Sequence, residues 1–220
     1  MRKLTMVMAV VALGVFVSGA AGGDKPKPQK PEKSKHGLCK GLTATITGTQ
    51  GADVINGTAG NDVILARAGD DQVWGHGGDD VICGGSGRDT LQGGDGNDRL
   101  AGQQGNDLMD GGVLGCCGAG NGGDDELWGG PGRDVLHAAD FGDGTLHGQQ
   151  GADELHGWGG NDTLDGGNGR DVLESFTGDD ALTGGNGNDR LDGGAGTDAL
   201  DGGRGTDGCA NGETNTGCEP

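Results

Sequence analysis

Along most of this chain an aliphatic residue recurs once every nine positions, in a background of glycine and acid. Written in nines from Gly48, the sequence runs GTQGADVIN, GTAGNDVIL, ARAGDDQVW, GHGGDDVIC, GGSGRDTLQ, GGDGNDRLA and GQQGNDLMD without a slip. An aberrant GGVLGCCGA at 111–119 interrupts the beat, GNGGDDELW and GGPGRDVLH restore it, and after one added residue, Ala138, it continues to residue 210. The fourth place is Gly in every unit but one, the sixth is Asp in all but two, and the eighth is Leu, Ile, Val or Met in nearly all.

Each fixed place has a physical reason. Gly at the first, second and fourth places permits positive φ and close backbone approach, so six residues can turn tightly with their carbonyls inward. The last three residues are too few for an isolated strand. Stacked on the equivalent residues of another unit, they form a rung of parallel sheet at about 4.8 Å spacing, and two nonapeptides make one coil. With one inward aliphatic per unit, the core is a thin double column: Ile55, Ile64, Val73, Ile82, Leu91, Leu100, Met109, Leu127, Leu136, Leu146, Leu155, Leu164, Leu173, Leu182, Leu191 and Leu200.

Composition makes that column insufficient by itself. Of 220 residues, 55 are Gly, 34 are acidic and none is Tyr. Glycine and proline at this level signal disorder unless a strict period is present, in which case they signal a repeat fold. Residues 1–37 carry a net charge of +5, so the whole-chain value of −19 leaves −24 on residues 38–220. Such a surface repels nucleic acid and anionic lipid and attracts cations. Leu, Ile, Val and Phe make up only about 16% of residues 38–220, below what a highly charged chain needs to fold unaided. The sixth-place Asp supplies the missing term: a carboxylate beside inward carbonyls, repeated between stacked turns, is an oxygen cage for a hard cation of Ca²⁺ size. Binding and folding then become one event.

At these residues the units resemble the GGxGxDxUx nonapeptides of RTX, or haemolysin-type, calcium-binding proteins, a repeat associated with a Ca²⁺-binding β-solenoid. The resemblance implies an all-β fold, a parallel β-roll with two nonapeptides per coil and Ca²⁺ in the turns, and a likeness to small stand-alone secreted bacterial members. Carried over by position, it implies the ligands Asp53, Asp62, Asp71, Asp80, Asp89, Asp98, Asp107, Asp125, Asp134, Asp153, Asp162, Asp171, Asp180, Asp189, Asp198 and Asp207. Counting 18 residues per coil, or 19 across Ala138, places Asp53 through Asp125 and Asp162 through Asp198 on one edge. Asp62 through Asp98 and Asp134 through Asp207 fall on the other, giving about twelve sites interrupted at Gly144 and at the Cys116 unit. The acids one place earlier, such as Asp70, Asp79, Asp124 and Asp179, are expected to belong to the turn or its solvated face.

Outside the repeats, Met1, Arg2 and Lys3, an apolar run from Leu4 to Val17 and the small residues Ser18-Gly19-Ala20 read as a secretory signal peptide over residues 1–20. The Lys/Pro-rich stretch 21–37 reads as an extended linker, and 38–220 as the calcium-binding roll with a capped C-terminus. Six cysteines in an exported chain argue for disulfides. Cys209 with Cys218, facing across the core, and Cys39 with Cys83, tying down an N-terminal cap, are the expected pairs. For Cys116 and Cys117 a vicinal bond, free thiols and a dimer link all stay open. His137 and His156 share the ninth place one coil apart, as exposed rungs or a transition-metal pair. Trp74 and Trp128 are placed on one edge.

An enzyme needs convergent groups, and here the carboxylates repeat instead of converging, with no HExxH or GxSxG. The expectation is a secreted, non-catalytic protein whose partners are calcium ions and no nucleic acid. The alternative is an adhesive or structural protein of the matrix or cell envelope, rigidified by Ca²⁺ and partnered by a polymer there. Oligomeric state is left open.

Overall fold

The computed structural model describes residues 37–39, 41–112, 123–139 and 142–219. The leader at 1–20, all of the 21–37 linker except Gly37, and the Cys116-Cys117 pair lie outside the described residues.

Successive strands alternate between two parallel sheets that face each other. Ile46–Thr47, Val63–Ala68, Val81–Ser86, Arg99–Gln104, Glu126–Pro131, Thr145–Gly151, Thr163–Gly169, Ala181–Gly187, Ala199–Gly205 and Thr214–Thr216 stack in chain order as a ten-stranded sheet. The intervening strands, from Val54–Asn56 to Gly208–Ala210, form a nine-stranded sheet. The chain is thus a parallel β-solenoid of about nine coils, two nonapeptides to the coil. Many strands run six or seven residues instead of the expected three, because turn residues also pair: Gln149, Gln150 and Gly151 register on Gly167, Asn168 and Gly169.

Seventh and ninth places face outward and the eighth faces inward, as strand alternation requires. All sixteen expected core residues are buried in one cluster, joined by Ile46, Ala66 and Ala138. The cluster holds essentially one side chain per nonapeptide, so the core has little thickness to relax into. Leu155→Ala in the Ca²⁺-saturated protein is therefore expected to cost about 2–5 kcal/mol, read by chemical denaturation.

The expected register fails at one point. Arg99–Gln104 pairs directly with Glu126–Pro131, and Leu108–Asp110 with Val135–His137, so the described strands on either side of the aberrant unit are neighbours. With Leu114 at its fourth place and Cys116 at its sixth, that unit lacks both the glycine for the turn and the acid for the ladder. Dropping one nonapeptide reverses the parity of everything after it. Trp74 consequently lies in the nine-stranded sheet and Trp128 in the ten-stranded one, on opposite walls instead of one edge.

Both expected disulfides form, with Cα–Cα distances of 6.5 Å for Cys39–Cys83 and 5.8 Å for Cys209–Cys218. The first pins the short helical turn Gly37–Cys39 to the outer face of the ten-stranded sheet, where Cys39 packs with Leu65, Cys83 and Ala101. The second does not cross the core. Glu219 bridges to Gly208 in parallel, which puts Cys218 one shortened coil above Cys209 on the same wall.

Candidate metal centre

The sixth-place carboxylates occupy equivalent positions in successive turns. Asp71 Oδ1 accepts the backbone N–H of Asp53 at 2.8 Å, and Asp71 N–H donates in turn to Asp89 Oδ1 at 2.9 Å. The chain of bonds continues through Asp107, Asp134, Asp153, Asp171, Asp189 and Asp207 without a break. A second row runs from Asp62 through Asp80 and Asp98 to Asp125, then resumes as Asp162, Asp180 and Asp198.

These rows correct the expected ones. Asp98 joins Asp125 and Asp107 joins Asp134 across 27 residues, so only Gly144 interrupts a row and the Cys116 unit does not. At Gly144 a built Cβ would fall 2.5 Å from the Ala138 methyl. The added residue thus fills the space that an acid at 144 would need. Thirteen Asp–Asp links result, against about twelve expected sites.

Each ladder bond uses one carboxylate oxygen. The other, Oδ2, is buried without a hydrogen-bond partner in fourteen of the sixteen acids; at Asp53 the unpartnered oxygen is Oδ1, and both oxygens of Asp62 are taken. Buried polar groups are ordinarily satisfied, so a repeated exception marks a place that needs a ligand. Its surroundings are oxygen-rich: a Cβ built at Gly148 would lie 2.7 Å from Asp153 Oδ2 and 2.6 Å from the carbonyl oxygen of Gly166 in the next coil. At Gly184 the same two roles fall to Asp189 Oδ2 at 2.8 Å and the Gly202 carbonyl at 2.7 Å. First-place glycine leaves open a cradle that a side chain would fill, flanked by a carboxylate of its own unit and a carbonyl of the next.

Electrostatics agree with that demand. Burial, opposed by the ladder N–H and reinforced by neighbouring acids, pushes Asp98, Asp107 and Asp125 up to about 7. Burial, again opposed by the ladder N–H, raises Asp71, Asp80, Asp89, Asp134, Asp153 and Asp171 to about 6. Among the described residues no three His, Cys, Asp or Glu side chains gather into a metal-holding group. A cation in these turns would therefore complete its shell from backbone carbonyls, as hard oxygen-seeking ions do.

The pattern defined for the RTX calcium-binding nonapeptide repeat (4 copies) matches residues 47–82, 84–113, 119–143, 139–173 and 175–208. The chain belongs to the RTX nonapeptide-repeat family. Its repeats imply calcium binding, and the buried acceptor cradles of this RTX protein fit such an ion. No curated protein matches the chain.

Sequence reasoning missed three features of the RTX site. Fifth-place Asp and Asn residues form a second ladder of opposite direction: Asp70, Asp79, Asp124 and Asp179 each accept through Oδ1 the backbone N–H of the fifth-place residue one coil later. The signal was the excess of Asn and Asp at that place. Glu213 accepts the N–H of Asp198 at 2.6 Å and ends the second row where no sixth-place Asp remains. At the opposite end, the Thr45 hydroxyl lies 2.9 Å from Asp62 Oδ1 and occupies the position of a missing lower coil.

The histidines do meet, with His137 and His156 rings 5.0 Å apart edge to face. Burial and the neighbouring His156 hold His137 below the ordinary histidine range. His156 is shared with Glu154 at 3.0 Å and Glu174 at 3.7 Å, and Trp158 and Phe176 stack beside it at 4.7 Å. This side of the roll is an exposed aromatic rung outside both acidic rows.

Proposed function

We propose that this RTX protein is a secreted, non-catalytic calcium-binding roll that acquires its fold by loading several Ca²⁺ ions between stacked turns. The observation that carries the reading is the row of buried, unpartnered carboxylate oxygens beside inward carbonyls. The ligating acids are Asp71, Asp80, Asp89, Asp98, Asp107, Asp125, Asp134, Asp153, Asp162, Asp171, Asp180, Asp189, Asp198 and Asp207, each contributing the oxygen its ladder bond leaves free. Ca²⁺ accepts six to eight oxygens in flexible geometry, whereas Mg²⁺ holds its waters and demands a near-ideal octahedron. A cradle dominated by carbonyls of fixed position favours the larger ion. Repetition of the same acid at every coil, instead of convergence of different groups on one pocket, supports a binding role without catalysis. The two disulfides and the apolar leader support an oxidising, extracellular destination.

Equilibrium dialysis of the chelated, oxidised protein against Ca²⁺, with Mg²⁺ as control, tests the reading. About a dozen ions should bind at saturation, with circular dichroism reporting a cooperative gain of β-structure over the same concentration range. Binding of fewer than about four ions with the spectrum unchanged would replace it with a metal-independent solenoid, and an equal response to Mg²⁺ would overturn the selectivity for Ca²⁺.

A further inference from the structure

The first two units fold their turns differently from the regular units that follow. At thirteen described second places, from Arg67 to Gly203, the residue takes positive φ, even where it is Arg67, His76, Gln103, Gln149, Trp158 or Phe176. Side chains other than Gly enter that region at a cost, and such strain persists where the surrounding structure demands it. Thr49 and Thr58, the second-place residues of units 48–56 and 57–65, do not take it, and neither do their fourth-place partners Gly51 and Gly60. A β-branched side chain is the worst choice for positive φ, so threonine selects the other turn.

That turn reverses the chemistry of the cradle. The N–H of Thr49 donates to Asp53 Oδ2 at 2.5 Å and its hydroxyl lies 2.9 Å from the same oxygen. Thr58 repeats this on Asp62 Oδ2 at 2.7 and 2.9 Å. In both units the threonine oxygen also accepts the fourth-place N–H, at 3.2 Å. Two donors converge on the oxygen that in other units is buried and unpartnered. A cation site is built from acceptors only, and donors placed at its carboxylate occupy the lone pairs the ion needs.

Resting on the calcium-binding reading above, we propose that Thr49 and Thr58 seal the first two turns against cations, so that Asp53 and Asp62 serve as a metal-free seat for the roll. Loading begins at Asp71 and Asp80, whose coils stack on the sealed ones. Among sixteen acids that look equivalent in sequence, the second-place residue then decides which turns take an ion.

Counting bound Ca²⁺ by equilibrium dialysis on the full oxidised chain tests this. Asp53→Asn and Asp62→Asn should leave the number of ions unchanged, while Asp89→Asn and Asp98→Asn each remove at least one. Thr49→Gly/Thr58→Gly, which restores the GGxGxD pattern, should gain up to two ions per chain. In Ca²⁺-saturated wild type the amides of Thr49 and Thr58 should exchange slowly, and lose that protection in Asp53→Asn and Asp62→Asn respectively. Loss of an ion in Asp53→Asn or Asp62→Asn, with wild type binding normally, overturns the seal and leaves the calcium reading intact. A wild-type chain that binds no Ca²⁺ overturns both.

Discussion

Chelation of the oxidised protein at pH 7.5 is expected to abolish most of the β-sheet signal of residues 42–210, and acidification in the same chelator to restore part of it. Fifteen carboxylate oxygens are buried without a partner once no cation is present. At a lower bound of about 1 kcal/mol for each unsatisfied group, they offset the whole stability of a typical domain, about 5–15 kcal/mol. A thin double column of aliphatic residues holds no surplus to meet that cost.

The pH arm follows from the direction of the shifts. In the metal-free roll, burial raises ten of these carboxyls, Asp71, Asp80, Asp89, Asp98, Asp107, Asp125, Asp134, Asp153, Asp162 and Asp171, to about 6 or 7 from an ordinary 3.8. The roll therefore holds protons more tightly than the unfolded chain. Their contribution is fully present below the unfolded value and is lost as pH rises through the folded one. Protons and Ca²⁺ thus serve the same oxygens in different pH windows, and the Ca²⁺ midpoint of folding should climb as pH falls from 7.5 to 5.5. Circular dichroism with Ca²⁺ titrations at four pH values reads both effects. A spectrum unmoved by chelator at pH 7.5, or a midpoint independent of pH, would show that the free oxygens are not what couples ion to fold.

The period of nine made much of this legible beforehand. It fixes phase, so the eighth place had to be core and the sixth had to face its equivalents, and both came out as read. Period does not fix which coil stacks on which. Direct pairing of the strands on either side of the aberrant unit moved Trp128 to the other wall and tied Asp107 to Asp134; in that unit Leu114 and Cys116 stand where the motif has Gly and Asp. The pairing of Cys209 with Cys218 was readable from spacing, but its place on one wall depended on a last coil shortened by Glu213 and Thr214, outside the repeat. Thr49 and Thr58 stand at the second place, where many units carry Gly. Their role lies in a backbone torsion, which sequence carries only through the reluctance of a β-branched residue to enter positive φ.

The fourth-place glycines offer the sharpest contrast within one motif. Gly169 has φ +152°, and a Cβ built there would overlap the carbonyl oxygen of Gly151 in the coil beneath. Strand pairs on both sides hold the coils in register at Gly151, Gly169 and Gly187, so the rungs cannot part from about 4.8 Å to admit a methyl group. Gly169→Ala combines backbone overlap with a strained torsion and is expected to cost more than about 4 kcal/mol in saturating Ca²⁺, the range reserved for breaking a specific feature. Gly51 and Gly60 occupy the same place in the repeat, yet neither has positive φ and a Cβ at either meets nothing within 4 Å. Gly51→Ala and Gly60→Ala should therefore stay within about 0.5 kcal/mol of wild type. Denaturation of the three variants in Ca²⁺, with ions counted on the same samples, measures the difference. Gly169→Ala should also lose the ions held by Asp153, Asp171 and Asp189, since a coil that cannot seat on its neighbour cannot bring its carbonyls to their carboxylates. Equal costs at all three positions would mean that the motif keeps its glycines for turn flexibility alone, and that coil-to-coil contact is not what closes the cradle.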